Sequence, residues 1–174
     1  MTTQTWHRIF DVDYNIDKVL VWARKLQLSK PGIPMQNKTS LNTVDLGEDQ
    51  YYWEGEFPKQ EFDIFNDIIC LDGKFRGIET SCSLWEYQSH TKLLPHIHDT
   101  EELIGGVLIV PLIGNFKTSI YQGDKEIDSV EYSPGKLFFV KGKEFLHGGE
   151  AIDGYRLAAL LYIKKGVNLD DYII

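Results

Sequence analysis

Apolar and polar positions change their rhythm about halfway along this chain. In the first part, Trp6 to Val12 reads as a short strand. Asn15 then sits where a helix N-cap would, ahead of Ile16, Val19, Leu20, Ala23 and Leu26, which share one face at helical spacing. Ser29-Lys-Pro-Gly32 stops that helix. The stretch Met35 to Gln50 is polar and reads as irregular, and Tyr51-Tyr-Trp53 as a strand. Pro58 suits the first position of a second helix, with Phe62, Phe65, Ile68 and Ile69 facing a core and Asp72-Gly73 ending it.

From Ile78 the character changes to short β-type segments with turn residues between them. Strands are expected near Ile78–Tyr87, Leu93–His98, Gly106–Ile113, Phe116–Tyr121, Glu126–Tyr132, Lys136–Val140 and Arg156–Ile163. Gly114-Asn115, Gly123-Asp124, Pro134-Gly135 and Asp153-Gly154 punctuate them. Evenly spaced short strands imply a sandwich, jelly roll or barrel. The expected architecture is therefore mainly β, with two N-terminal helices packed outside the β-core. One domain is expected: a helix-containing support over 1–77, the β-core over 78–163 and a tail over 164–174.

Composition agrees with a folded domain and narrows its partners. The 174 residues are 43% hydrophobic and 25% charged, which argues against disorder. A formal net charge of −8, with no basic patch to override it, speaks against nucleic acid and anionic membranes. The start of the chain has no charged n-region or apolar h-region, and the apolar run Leu103 to Ile113 is too short and too broken to span a bilayer. Cys70 and Cys82 form no metal-binding or multi-disulfide pattern and read as reduced thiols, with one disulfide as the alternative. A cytoplasmic location is the expectation.

The chemistry concentrates in three places. In Pro95-His96-Ile-His98-Asp99-Thr-Glu-Glu102, strand alternation puts His96 and His98 on one face, where two imidazoles can take adjacent positions on a metal ion. The bland alternative is two surface histidines at a strand end. Farther on, His147 in Phe145-Leu-His147-Gly-Gly-Glu150 is a candidate third ligand, or else a turn histidine bonded to backbone. Arg156 opens an otherwise apolar strand. Its fork suits a ligand carboxylate, and the structural alternative is an ion pair with Asp153 or Glu150.

At these residues the chain resembles the iron(II)/2-oxoglutarate-dependent oxygenases, particularly prolyl-hydroxylase-like members. The resemblance rests on Leu94-Pro-His96, the apolar strand ending at Pro111-Leu112, Leu146-His147-Gly-Gly-Glu and Gly154-Tyr-Arg156, and covers about Ile78 to Ile163. It implies a double-stranded β-helix core, an Fe(II) centre held by His96, His98 and His147, and 2-oxoglutarate as cosubstrate, its far carboxylate on Arg156. The substrate it implies is a small molecule or a peptide side chain. One departure matters: the family places an acid two residues after the first histidine, and this chain has His98. Three solutions stand open. His98 is itself a ligand, Asp99 supplies the carboxylate through a strand shift, or His96-x-His98-x-x-x-Glu102 is a cupin motif. A cupin enzyme working without 2-oxoglutarate and a non-catalytic β-fold binding module are the alternative functions.

Overall fold

A computed structural model describes residues 5–11, 15–29, 52–56, 79–87, 95–97, 104–142, 144–151 and 156–167. It is mainly β. In chain order the elements are β1 (His7–Asp11), α1 (Ile16–Ser29), β2 (Tyr52–Glu56), β3 (Glu79–Tyr87), β4 (Ile104–Ile113), β5 (Phe116–Gln122), β6 (Lys125–Tyr132), β7 (Lys136–Val140), β8 (His147–Ala151) and β9 (Arg156–Lys164). All described strand pairs are antiparallel. Six strands form one sheet in the order β1-β7-β4-β9-β3-β2, and three form a second in the order β6-β5-β8. Neighbours in the sheets are mostly remote in sequence, as in a jelly roll.

The two sheets face each other across an apolar core. Val107, Phe138, Val140, Ala158 and Leu160 come from the large sheet, Phe116, Ile120 and Tyr132 from the small one, and Trp6 joins them from the residue before β1. The central strands are buried on both faces. On β9 the run from Arg156 to Leu161 is buried throughout, because one face meets the small sheet and the other turns to the outside of the large sheet. There α1 packs against β4 and buries Val19, Trp22 and Ala23. This two-sided burial explains why β9 reads as a continuous apolar run rather than an alternating one.

Local signals act where the residue types demand. Asn15 caps α1: its side-chain oxygen accepts the backbone N–H of Lys18 at 3.0 Å. The helix ends at Ser29, one turn beyond the last apolar position of its stripe, as Lys-Pro-Gly follows. Gly114, Gly123 and Gly135 take positive φ at the β4–β5, β5–β6 and β6–β7 turns, where a side chain would be strained. The expected second helix from Pro58 lies outside the described residues, so one helix is described where two were expected. No described helix is long and apolar enough to cross a membrane.

β8 departs from the expectation. No strand is expected around His147, and Gly148 and Gly149 have poor strand propensity. The structure makes it a strand, held by β5 in the register Ile120↔His147, Thr118↔Gly149, Phe116↔Ala151. Tertiary pairing overrides local preference here.

Candidate functional site

Strand alternation decides what faces the space between the sheets. On β9 the inward positions are Arg156, Ala158, Leu160 and Tyr162, on β5 Phe116 and Thr118, and on β4 Val107 and Ile109. Together with His96, Tyr132, Val140 and β8 they line a cavity of about 530 Å³, counting its open mouth. An apolar wall carrying a few polar groups is typical of small-molecule sites.

His96 and His147 meet at this cavity. Each backbone N–H donates to the other's carbonyl, His96 to His147 at 2.8 Å and His147 to His96 at 3.0 Å. The segment around His96 thereby extends the small sheet beyond β8. The two rings lie 4.4 Å apart between centroids. His147 is buried, and its Nδ1 donates to the carbonyl oxygen of Phe145 at 3.0 Å. That bond holds the ring in one orientation and puts the proton of the neutral ring on Nδ1, which leaves the Nε2 lone pair for a ligand role. The backbone-bonded histidine and the ligand histidine are thus compatible roles for one residue.

Arg156 is 4% exposed, and its Nη1 donates to the backbone carbonyl of Glu150 at 3.0 Å. The link to Glu150, foreseen as an ion pair, includes this bond to its main chain. The guanidinium carbon stands 4.9 Å from the centre of the Phe116 ring, within cation–π range. Beside it, the hydroxyls of Thr118 and Tyr132 are 2.9 Å apart in a buried bond. Burial pushes the Tyr132 phenol up, and the nearby Arg156 charge and the Thr118 bond only partly oppose it. Tyr132 is therefore a neutral hydroxyl group at physiological pH.

Of the residues singled out in the sequence, His96, His147 and Arg156 are brought to one cavity. His98, Asp99 and Glu102 lie outside the described residues, as does Asp153. Among the described residues no group of three or more potential metal ligands occurs. Phe116, Thr118 and Tyr132 escaped the sequence reading. A signal for Thr118 was present: in Phe116-x-Thr118-x-Ile120 it occupies the core face, and a buried hydroxyl requires a partner.

No protein-family model matches the chain, and no curated protein matches it by sequence. Solved structures do match. A Pseudomonas putida prolyl-4-hydroxylase superposes with a TM-score of 0.59 at 13% identity, over 92% of this chain and 93% of that one. A 2OG-Fe(II) oxygenase family oxidoreductase from Burkholderia pseudomallei gives 0.60 at 11% identity, over 91% and 84%. The chain shares its fold with these two structures. The structure of OsALKBH1 is similar to it as well, with a TM-score of 0.59 at 15% identity over 93% of this chain and all of that one. At such identities the likeness speaks for the fold alone, and the chemistry rests on the residues in the cavity.

Proposed function

We propose that this protein is an iron(II)- and 2-oxoglutarate-dependent oxygenase acting on a small molecule or a peptide side chain. The observation that carries the reading is the joining of His96 to His147 at the cavity that Arg156 also lines. The donor set fits the metal. Imidazole nitrogen suits iron(II), and a neutral His147 with its Nδ1 proton fixed on a carbonyl is the state a ligand histidine requires. His96 and His147 would hold the ion with a third ligand from the segment after His96. Strand alternation favours His98 over Asp99, which would need a bulge to reach the same face.

The far end of the cavity fits a carboxylate. Along β5, the His147 partner Ile120 and the Arg156 neighbour Phe116 are four residues apart, or about 13 Å on an antiparallel strand. A metal-chelated five-carbon diacid and an arginine side chain reaching towards it fill such a span. Arg156 would pair with the far carboxylate, and the bonded Thr118–Tyr132 pair would add one hydroxyl donor. The apolar wall of Val107, Ile109, Val140 and Leu160 would exclude water and strengthen those bonds. When bound, iron(II) supplies the activation of dioxygen coupled to oxidative decarboxylation of 2-oxoglutarate.

Metal analysis followed by a 2-oxoglutarate titration of the loaded protein tests the reading. One metal per chain and metal-dependent binding are expected. Arg156→Ala should leave the metal in place and weaken 2-oxoglutarate by about tenfold to a few hundredfold, as loss of a charge-assisted bidentate pair does. Loaded wild-type protein without affinity for 2-oxoglutarate would overturn it.

A further inference from the structure

Trp6 lies outside the cavity lining yet is 5% exposed, inserted between the sheets from the residue before β1. Two bonds hold it. Its carbonyl accepts the N–H of Lys141 at 3.0 Å, and its indole Nε1 donates to Asp128 Oδ2 on β6 at 2.8 Å. The second bond crosses from the edge of the large sheet to the edge of the small one. A carboxylate acceptor makes it a strong, directional bond that sets how the indole is turned.

A column of rings starts at this indole. Trp6 meets Phe138 edge-on, with 6.1 Å between centroids. Phe138 stacks on Tyr132 at 4.1 Å and 11°, and Tyr132 stacks on Phe116 at 5.4 Å and 26°. Phe116 in turn carries the Arg156 guanidinium, and Tyr132 bonds Thr118. In a close-packed interior, rings in contact cannot turn independently. The orientation of Trp6 is thus relayed to the hydroxyl and cation at the far end of the cavity.

We propose that Trp6, held by Asp128, is a positioning residue for the carboxylate-binding end of the cavity, acting through Phe138 and Tyr132. This rests on the proposed 2-oxoglutarate site, but it makes a separate claim. The indole bond should matter to the far carboxylate and not to the chelating end of the ligand.

Two probes separate those ends. 2-Oxoglutarate carries both, whereas pyruvate is a 2-oxo acid without the far carboxylate. Their affinities for manganese(II)-loaded full-length protein are measured by calorimetry, pyruvate by competition. Asp128→Ala is expected to weaken 2-oxoglutarate by about threefold to tenfold, the size of one ordinary hydrogen bond, and to leave pyruvate unchanged. Asp128→Asn, whose amide oxygen still accepts the indole N–H, should recover most of the loss. Trp6→Phe, which fills the core without the N–H, should behave like Asp128→Ala and replaces it if that variant does not fold. Equal weakening of both probes would show general loosening and overturn the proposal, as would unchanged affinities or no recovery in Asp128→Asn. Wild-type protein that fails to bind 2-oxoglutarate would reject the proposed function and this proposal together. Wild-type binding with an indifferent Asp128→Ala rejects this proposal alone.

Discussion

His147 uses one ring nitrogen on the Phe145 carbonyl and its main chain on His96, so its side chain can be changed without unpairing the sheet. His147→Ala is expected to fold, keep the β-sheet signature in circular dichroism and lose bound metal on elemental analysis. A folded variant with undiminished metal would remove His147 from the site. The hydroxyl pair behaves differently, because both members are buried. Tyr132→Phe keeps the stack on Phe138 and leaves the Thr118 hydroxyl without its Tyr132 bond. A loss of about 1–3 kcal/mol in urea unfolding is expected, the cost of a buried polar group left unsatisfied. If stability is unchanged, Thr118 has found another acceptor and the pair is not a structural bond.

At the scale of elements, the register between β4 and β7 depends on one close approach. A Cβ on Gly106 would lie 2.5 Å from the Phe139 ring and 2.7 Å from the Val140 carbonyl oxygen. The ring can move, but the oxygen belongs to the strand itself. Gly106→Ala should therefore destabilise by about 1–3 kcal/mol, as overpacking of a core does, and shift the denaturation midpoint without changing its slope. The same strands carry Val107, Ile109 and Val140 into the cavity, paired as Val107↔Val140 and Ile109↔Phe138. Strain at Gly106 should reach ligand binding as well. The cap of α1 is a more local matter. Asn15→Ala removes one acceptor at an exposed helix start and should cost about 1 kcal/mol with no effect on the site.

For the whole molecule, β1 closes the edge of the large sheet, pairing His7 to Val140 through Asp11 to Lys136. His7 follows the buried Trp6, stacks on Phe138 with 5.6 Å between centroids, and its Nδ1 is buried with no hydrogen-bond partner among the described residues. Burial pushes its imidazole below the usual histidine value, and the Asp128 carboxylate opposes only part of that. The sign follows from linkage. Below the ordinary value near ~6.5 the unfolded chain binds a proton that the folded chain resists, so stability falls as pH drops through that point and on to the lowered folded value. Wild-type protein should lose stability between neutral and mildly acidic pH, and His7→Phe should flatten that part of the profile. Identical pH profiles for the two proteins would mean that His7 does not titrate with folding.

Much of this was legible before the strands were paired. The Asn15 cap, the glycine turns and the short β-type segments between them each depend on residues within a few positions of one another, and local sterics and hydrogen bonding decide them. The residue types of the site were legible too: His96, His147 and Arg156 are chemically conspicuous in their segments. Only the tertiary structure decided what those residues meet. The strand character of His147 comes from β5, against the preference of its own glycines. Arg156 reaches the Glu150 carbonyl because strand pairing sets the β8 backbone within reach of the guanidinium. Trp6 and Asp128 meet although no local rule relates them, since their strands are the facing edges of two sheets. Strand periodicity determines which face a side chain takes, but strand pairing over long sequence distances determines which face it opposes. That pairing depends on burial summed over the whole core.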